Sequence, residues 1–222
     1  MVSAKRKKES TMPTIKELLE RIVEYNNLPK FQVERALSPI ISFYIANMIS
    51  KIKNGDEIKL ITPEFPLKKE NNQSKNIDYL LVNQSKKKLI LVELKTDFRA
   101  CKKDVLEHQS NYENVIHKLK ENKAIYLVND INDIYEKSKQ KDKYEYLKDR
   151  ANNIDREICS GEILYIVPKE IKAKIMNTIL EDTSIVSFDE LPSDLNGADE
   201  NYKLLFEALQ KLNSKKPKQK RK

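Results

Sequence analysis

The segment from Asn76 to Asp97, NIDYLLVNQSKKKLILVELKTD, constrains the fold of this chain more than any other. It holds two apolar runs, Ile77–Val82 and Leu89–Leu94, parted by a polar, lysine-rich turn. Runs this short and this rich in Ile, Leu and Val predict strands, and the turn between them predicts a β-hairpin. Three ionisable residues stand in or beside these runs: Asp78, Glu93 and Lys95. Burying such groups uncompensated is expensive, so these are the positions at which to look for chemistry.

Side chains alternate along a strand, so Glu93 and Lys95 share a face with Leu89 and Leu91. If Asn83 faces Lys88 across the turn, counting back along both strands brings Asp78 opposite Glu93. Opposed residues project to one face with Cβ atoms about 4.5–5.5 Å apart. Two carboxylates that close repel unless positive charge lies between them. An ammonium two residues along is one source and a divalent cation is another. Oxygen-only ligation suits a hard ion such as Mg²⁺ or Mn²⁺.

The rest of the composition narrows the chemistry by elimination. Gly55, Gly161 and Gly197 are the only glycines, so neither a P-loop nor a G-x-G-x-x-G turn exists. Two histidines and two distant cysteines, Cys101 and Cys159, make no conventional zinc site and no disulfide framework. No G-x-S-x-G elbow is present. Carboxylate, lysine and metal remain. No apolar run approaches the roughly 18 residues that span a bilayer, and MVSAKRKKES lacks an apolar signal core. A cytoplasmic protein without membrane association is the expectation.

Charge is unevenly spread. Of the net +8, residues 1–10 carry +3 and residues 211–222 carry +7, which leaves −2 for the body. We therefore expect a basic disordered leader over 1–13, one folded domain over 14–212 and a basic disordered tail over 213–222. The tail could hold nucleic acid electrostatically or serve as a solvated end.

Along the chain, Thr14-Ile-Lys-Glu17 is a capping box that opens a helix with Ile15, Leu18, Leu19, Ile22 and Val23 on one face. A second helix is expected from Phe31 to Lys53, interrupted at Pro39 by a kink or by a new start capped at Ser38. Glu57–Leu67 predicts a strand whose two prolines place it at an edge or a bend. After the hairpin, Asp97 is an expected cap for a helix to Asn122, with Cys101, Val105, His108, Tyr112, Val115, Ile116 and Leu119 inward. Lys123–Val128 predicts a short strand beside the hairpin. The polar stretch Ile131–Asn153 predicts an exposed, salt-bridged helix, with a tyrosine- and lysine-lined nucleic-acid groove as the other reading. A strand over Ile163–Val167, a helix over Lys169–Leu180, a strand over Ser184–Phe188 and a helix capped by Asp199 complete the chain.

Asp78, a gap of fourteen residues, and then Glu93-Leu94-Lys95 on a second strand resembles the PD-(D/E)XK nuclease superfamily, the fold of restriction endonucleases and RecB-type nucleases. The resemblance covers roughly Glu34 to Val128, and Ile77 stands where the family has proline. It implies an αβββαβ core of mixed sheet flanked by helices, here with an added C-terminal strand and helix. It further implies a metal-dependent nuclease acting on nucleic acid, with DNA as the expected substrate, and admits a homodimer. Asp78 and Glu93 would hold Mg²⁺ or Mn²⁺, and Lys95 would orient the attacking water or stabilise the phosphorane. A further acid would be Glu34 on the first core helix or Glu64 on the strand beside Asp78. Gln109 and Tyr112 resemble an accessory pair of RecB-type members, with a spacing of three where the family has four. A catalytically silent member of the same fold, binding nucleic acid or protein, is the alternative.

Overall fold

The structure, a computed structural model, describes residues 14–26, 28, 32–68, 74–96, 101–176, 182–195 and 199–213, and of residues 101–109 the backbone alone. The leader 1–13, the tail from 214, the expected cap Asp97, Arg99, the end of the helix expected to reach Leu180, and the side chains of Cys101, Lys102, Lys103, Val105, His108 and Gln109 lie outside the described residues.

Two helices, α1 (Ile15–Tyr25) and α2 (Val33–Ile52), precede three strands, β1 (Ile58–Lys68), β2 (Ser74–Asn83) and β3 (Lys88–Leu94). Helices α3 (Cys101–Asn122), α4 (Ile125–Lys137) and α5 (Lys141–Ala151) follow, then β4 (Gly161–Val167), α6 (Lys169–Ile175), β5 (Thr183–Ser187) and α7 (Glu200–Asn213). The strands form one sheet in the order β1-β2-β3-β4-β5. Its first three strands are antiparallel, while β3, β4 and β5 run parallel. This is a mixed α/β architecture.

The local signals act as their chemistry requires. Thr14 and Glu17 form the reciprocal capping box of α1, and Asp199 caps α7 by accepting from the Asn201 N–H at 2.9 Å. The hairpin closes with Asn83 opposite Lys88. As the prolines suggest, β1 is an edge strand. Helix α2, however, runs unbroken through Pro39. Losing one helical hydrogen bond there costs a few kcal/mol. Burial of Leu37, Ile41 and Ile45 on either side offsets it, and the Tyr79 hydroxyl holds the Ser38 carbonyl at 3.1 Å.

The sheet is the middle of three layers. On one face Leu80, Val82, Leu89, Leu91, Ile163 and Tyr165 pack under Tyr112, Val115, Ile116 and Leu119 of α3 and under α4 to α6. On the other, Tyr79, Leu81, Ile90, Val92, Leu94, Leu164 and Ile166 pack under α1, α2 and α7. Strand β3 is therefore buried on both faces, which explains its continuous apolar run.

One strand expectation is overturned. Lys123–Val128 is the turn and start of α4, not a strand, and β4 takes the place beside β3. A six-residue apolar run does not by itself distinguish strand from helix. What decides it is the continuation: Leu127, Val128 and Ile131 recur at helical spacing and are all buried. The polar stretch beyond is likewise not one helix but the end of α4 and all of α5. Its tyrosines face cations, with Lys141 and Lys148 at 4.3 and 4.6 Å from the Tyr135 ring.

Candidate active site

The carboxyl ends of the parallel strands are where an open α/β sheet presents functional groups, and the end of β3 carries Glu93 and Lys95. Both are almost completely buried, at 3% and 7% exposure. Alternation sends Glu93 to the face of Leu89 and Leu91, under α3, and there the Tyr112 hydroxyl donates to Glu93 Oε2 at 2.5 Å. Lys95 Nζ lies 2.7 Å from Glu93 Oε1 and 3.7 Å from Glu34 Oε1 in the first turn of α2. Asp78, one residue beyond the last paired position of β2, accepts from the Leu94 N–H at 2.6 Å through Oδ2. The hairpin register thus brings Asp78, Glu93 and Lys95 to one place, and α2 adds Glu34.

The strands are irregular at this point. Ile77 joins the α3-side core while Tyr79, two residues on, joins the opposite one, so alternation slips at Asp78. Directly across β1, between the pairs Pro63–Tyr79 and Phe65–Ile77, stands Glu64 with φ of 52°. A left-handed residue inside a strand is a bulge-like device that re-aims neighbouring side chains.

The electrostatics are one-sided. Burial, then the Glu93 and Glu34 carboxylates, push Asp78 up to about 8 against the opposing pull of Lys95 and the Leu94 N–H. Burial also raises Glu34, with Lys95 opposing. For Lys95 burial favours the neutral amine, yet Glu93 and Glu34 outweigh it and hold the ammonium above its ordinary range. Burial and then Glu93 keep the Tyr112 phenol protonated.

Of the two candidates for the further acid, Glu34 contacts Lys95 whereas Glu64 is exposed and takes a hydrogen bond from Asn76 Nδ2 at 3.2 Å. Glu64 still lies close enough to raise Glu34. The Gln109 side chain lies outside the described residues, while Tyr112 is in the site. Reading the sequence alone misses the Leu94 N–H as a partner of Asp78. It also misses Tyr165, the parallel-strand neighbour of Glu93. Backbone donors and cross-strand partners from β4 carry no motif.

Among the described residues, no three His, Cys, Asp or Glu side chains are gathered as a ready-made metal cage. The donor chemistry nevertheless fits a hard divalent cation. Asp78 and Glu93 offer only oxygens, and among the described residues they and Glu34 set three carboxyl groups around the ammonium of Lys95. Mg²⁺ in particular is commonly held by one or two carboxylates, with water and substrate phosphate completing its shell. No protein-family model matches the chain, and no curated protein or solved structure is significantly similar to it.

Proposed function

We propose that this chain is a metal-dependent phosphodiester hydrolase acting on nucleic acid, with DNA as the preferred substrate, on the plan of the PD-(D/E)XK nucleases. The observation that carries this reading is the meeting of Asp78, Glu93 and Lys95 at the carboxyl end of β3, where burial and the neighbouring acids hold the Asp78 carboxyl far above its ordinary range. Element order supports it too: helix, three strands, helix and then the parallel strand β4, with α4 and α5 inserted before that strand. Cytoplasmic location and a homodimer belong to the same proposal. No described helix is long and apolar enough to cross a membrane.

Each residue has a task that its position supports. Asp78 and Glu93 would hold Mg²⁺ or Mn²⁺, with Glu34 nearest to join them. A cation held there would lower the pKa of water and offset charge on the phosphate. Lys95 presents a compact ammonium beside the carboxylates, suited to orient the attacking water and stabilise the developing oxyanion. Tyr112 fixes the Glu93 carboxylate from the α3 side, and the Leu94 N–H fixes Asp78.

One observation favours the silent, binding-only member of the fold: Lys95 and Tyr112 already occupy one oxygen each of Glu93. Calorimetric titration with Mn²⁺ separates the two. A hydrolase binds the ion in the wild type and loses it in Glu93→Ala, whereas equal, negligible heats in both proteins support the binding module.

A further inference from the structure

Beside the carboxylate site lies a cavity of about 290 Å³, enclosed by the end of β1, the start of β2, α3 and α4. Among the described residues its wall carries the ammonium groups of Lys68, Lys75 and Lys118 and the carboxylate of Asp130. Lys68 lies 3.7 Å from Asp130 and 3.0 Å from Asp133. Lys75 Nζ sits 4.9 Å above the centre of the Tyr112 ring. Asn111 and Asn114 add amides, each with both donor and acceptor, and aliphatic side chains line the remainder. Tyr112 belongs to the cavity and to the carboxylate site at once, because its hydroxyl donates to Glu93. A single side chain, Tyr112, therefore touches both the cavity and Glu93.

We propose that this cavity holds one nucleotide of the nucleic-acid strand whose neighbouring phosphodiester lies at Asp78 and Glu93; the assignment rests on the phosphodiesterase reading of those carboxylates. The lysines of the wall meet the phosphate, since lysine is a common point-charge partner for phosphate. The two amides meet the polar edge of the base, and the apolar wall meets its ring. The size agrees: it exceeds what a lone phosphate ion fills and falls just short of the roughly 300 Å³ at which ligand pockets begin.

The test is calorimetry on the full chain in EDTA, where cleavage cannot occur, with thymidine 5′-monophosphate, tetrathymidylate and inorganic phosphate as probes. The mononucleotide should bind, tetrathymidylate should compete with it, and inorganic phosphate should bind at least about tenfold more weakly. Lys118→Glu should weaken both nucleotide probes by about tenfold or more, the scale of one charge-assisted contact. Asn114→Trp, which fills the cavity mouth without altering charge, should do the same, and either variant decides the matter if the other does not fold by circular dichroism. Asp78→Asn should retain binding. No binding by the wild type, affinity untouched in both cavity variants, phosphate binding as tightly as the nucleotide, or exclusion of tetrathymidylate would each overturn the assignment. Nucleotide binding without cleavage under any metal would leave the cavity standing and remove the hydrolase reading. Metal-dependent cleavage without nucleotide binding in EDTA would remove the cavity alone.

Discussion

The central strands end in two ion clusters that make opposite use of charge. At the amino ends of β3 and β4, Glu162 faces two ammonium groups, with Lys53 at 2.5 Å and Lys88 at 3.5 Å. At the carboxyl end of β3, among the described residues, Asp78, Glu93 and Glu34 gather around one ammonium, Lys95. The same helix serves both, since α2 places Glu34 in its first turn and Lys53 at its C-cap. Both placements suit the helix dipole. In the first cluster the carboxylate is fully met by ammonium groups, and the cluster reads as structural. Among the described residues the second gathers three carboxyl groups around Lys95, and burial together with the neighbouring acids pushes Asp78 up to about 8, a perturbation of the kind that clusters at functional sites.

Substitutions at the two ends should therefore separate activity from stability. The largest effect is expected at the carboxyl end: Lys95→Ala should lower cleavage by about 10²–10³-fold with the fold retained by circular dichroism. Glu162→Gln at the other end should leave cleavage unchanged and lower stability by about 1 kcal/mol or less in urea denaturation. Comparable losses of activity from both variants would erase the contrast.

Asp78→Asn sharpens the comparison through pH. A carboxyl titrates near about 3.9 when unfolded, whereas Asp78 in the fold is pushed up to about 8. Between these values the folded state binds more protons, so the wild type loses stability as pH rises from about 4 to about 8. Without metal, Asp78→Asn should thus be more stable than the wild type at pH 8, on the order of 1–3 kcal/mol. The gain should vanish below pH 4, while the variant is inactive throughout. A variant no more stable than wild type at pH 8 would mean that the acids are not in conflict.

Gly161→Ala probes the amino end by packing alone. A Cβ there would come within 2.6 Å of Ile116 Cδ1 and 2.9 Å of Leu119 Cδ1, both in the core beneath α3. Overpacking of this kind costs about 1–3 kcal/mol, and cleavage should survive it below the melting transition. The smallest effect is expected at Glu64. Its left-handed φ of 52° is strained for any residue with a Cβ, and asparagine tolerates that region better. Glu64→Asn should therefore stabilise by about 0.5 kcal/mol in the same denaturation assay.

How much of this could be read from residues alone differs between the parts. The meeting of Asp78, Glu93 and Lys95 was legible because two rules, alternation along a strand and the register imposed by a short turn, convert numbering directly into space. The further acid was legible only as a choice between Glu34 and Glu64, because helical spacing puts Glu34 at the border of an inward face without saying what it meets. The role of Lys123–Val128 was not legible, because its length suits either element and only its continuation at helical spacing through Ile131 decides. Glu64's backbone twist and the Leu94 N–H were also hidden, since neither depends on side-chain type. The lysine-lined cavity draws on β1, β2, α3 and α4, four elements whose juxtaposition no local pattern records.

The most direct test is cleavage of single- and double-stranded DNA and RNA by the folded wild type in Mg²⁺ or Mn²⁺, set against EDTA and against Asp78→Ala. Hydrolysis that requires the metal and disappears with Asp78 is the predicted result. A folded wild type that cuts none of these substrates in either metal, or an Asp78→Ala protein that cuts as well as its parent, would contradict it.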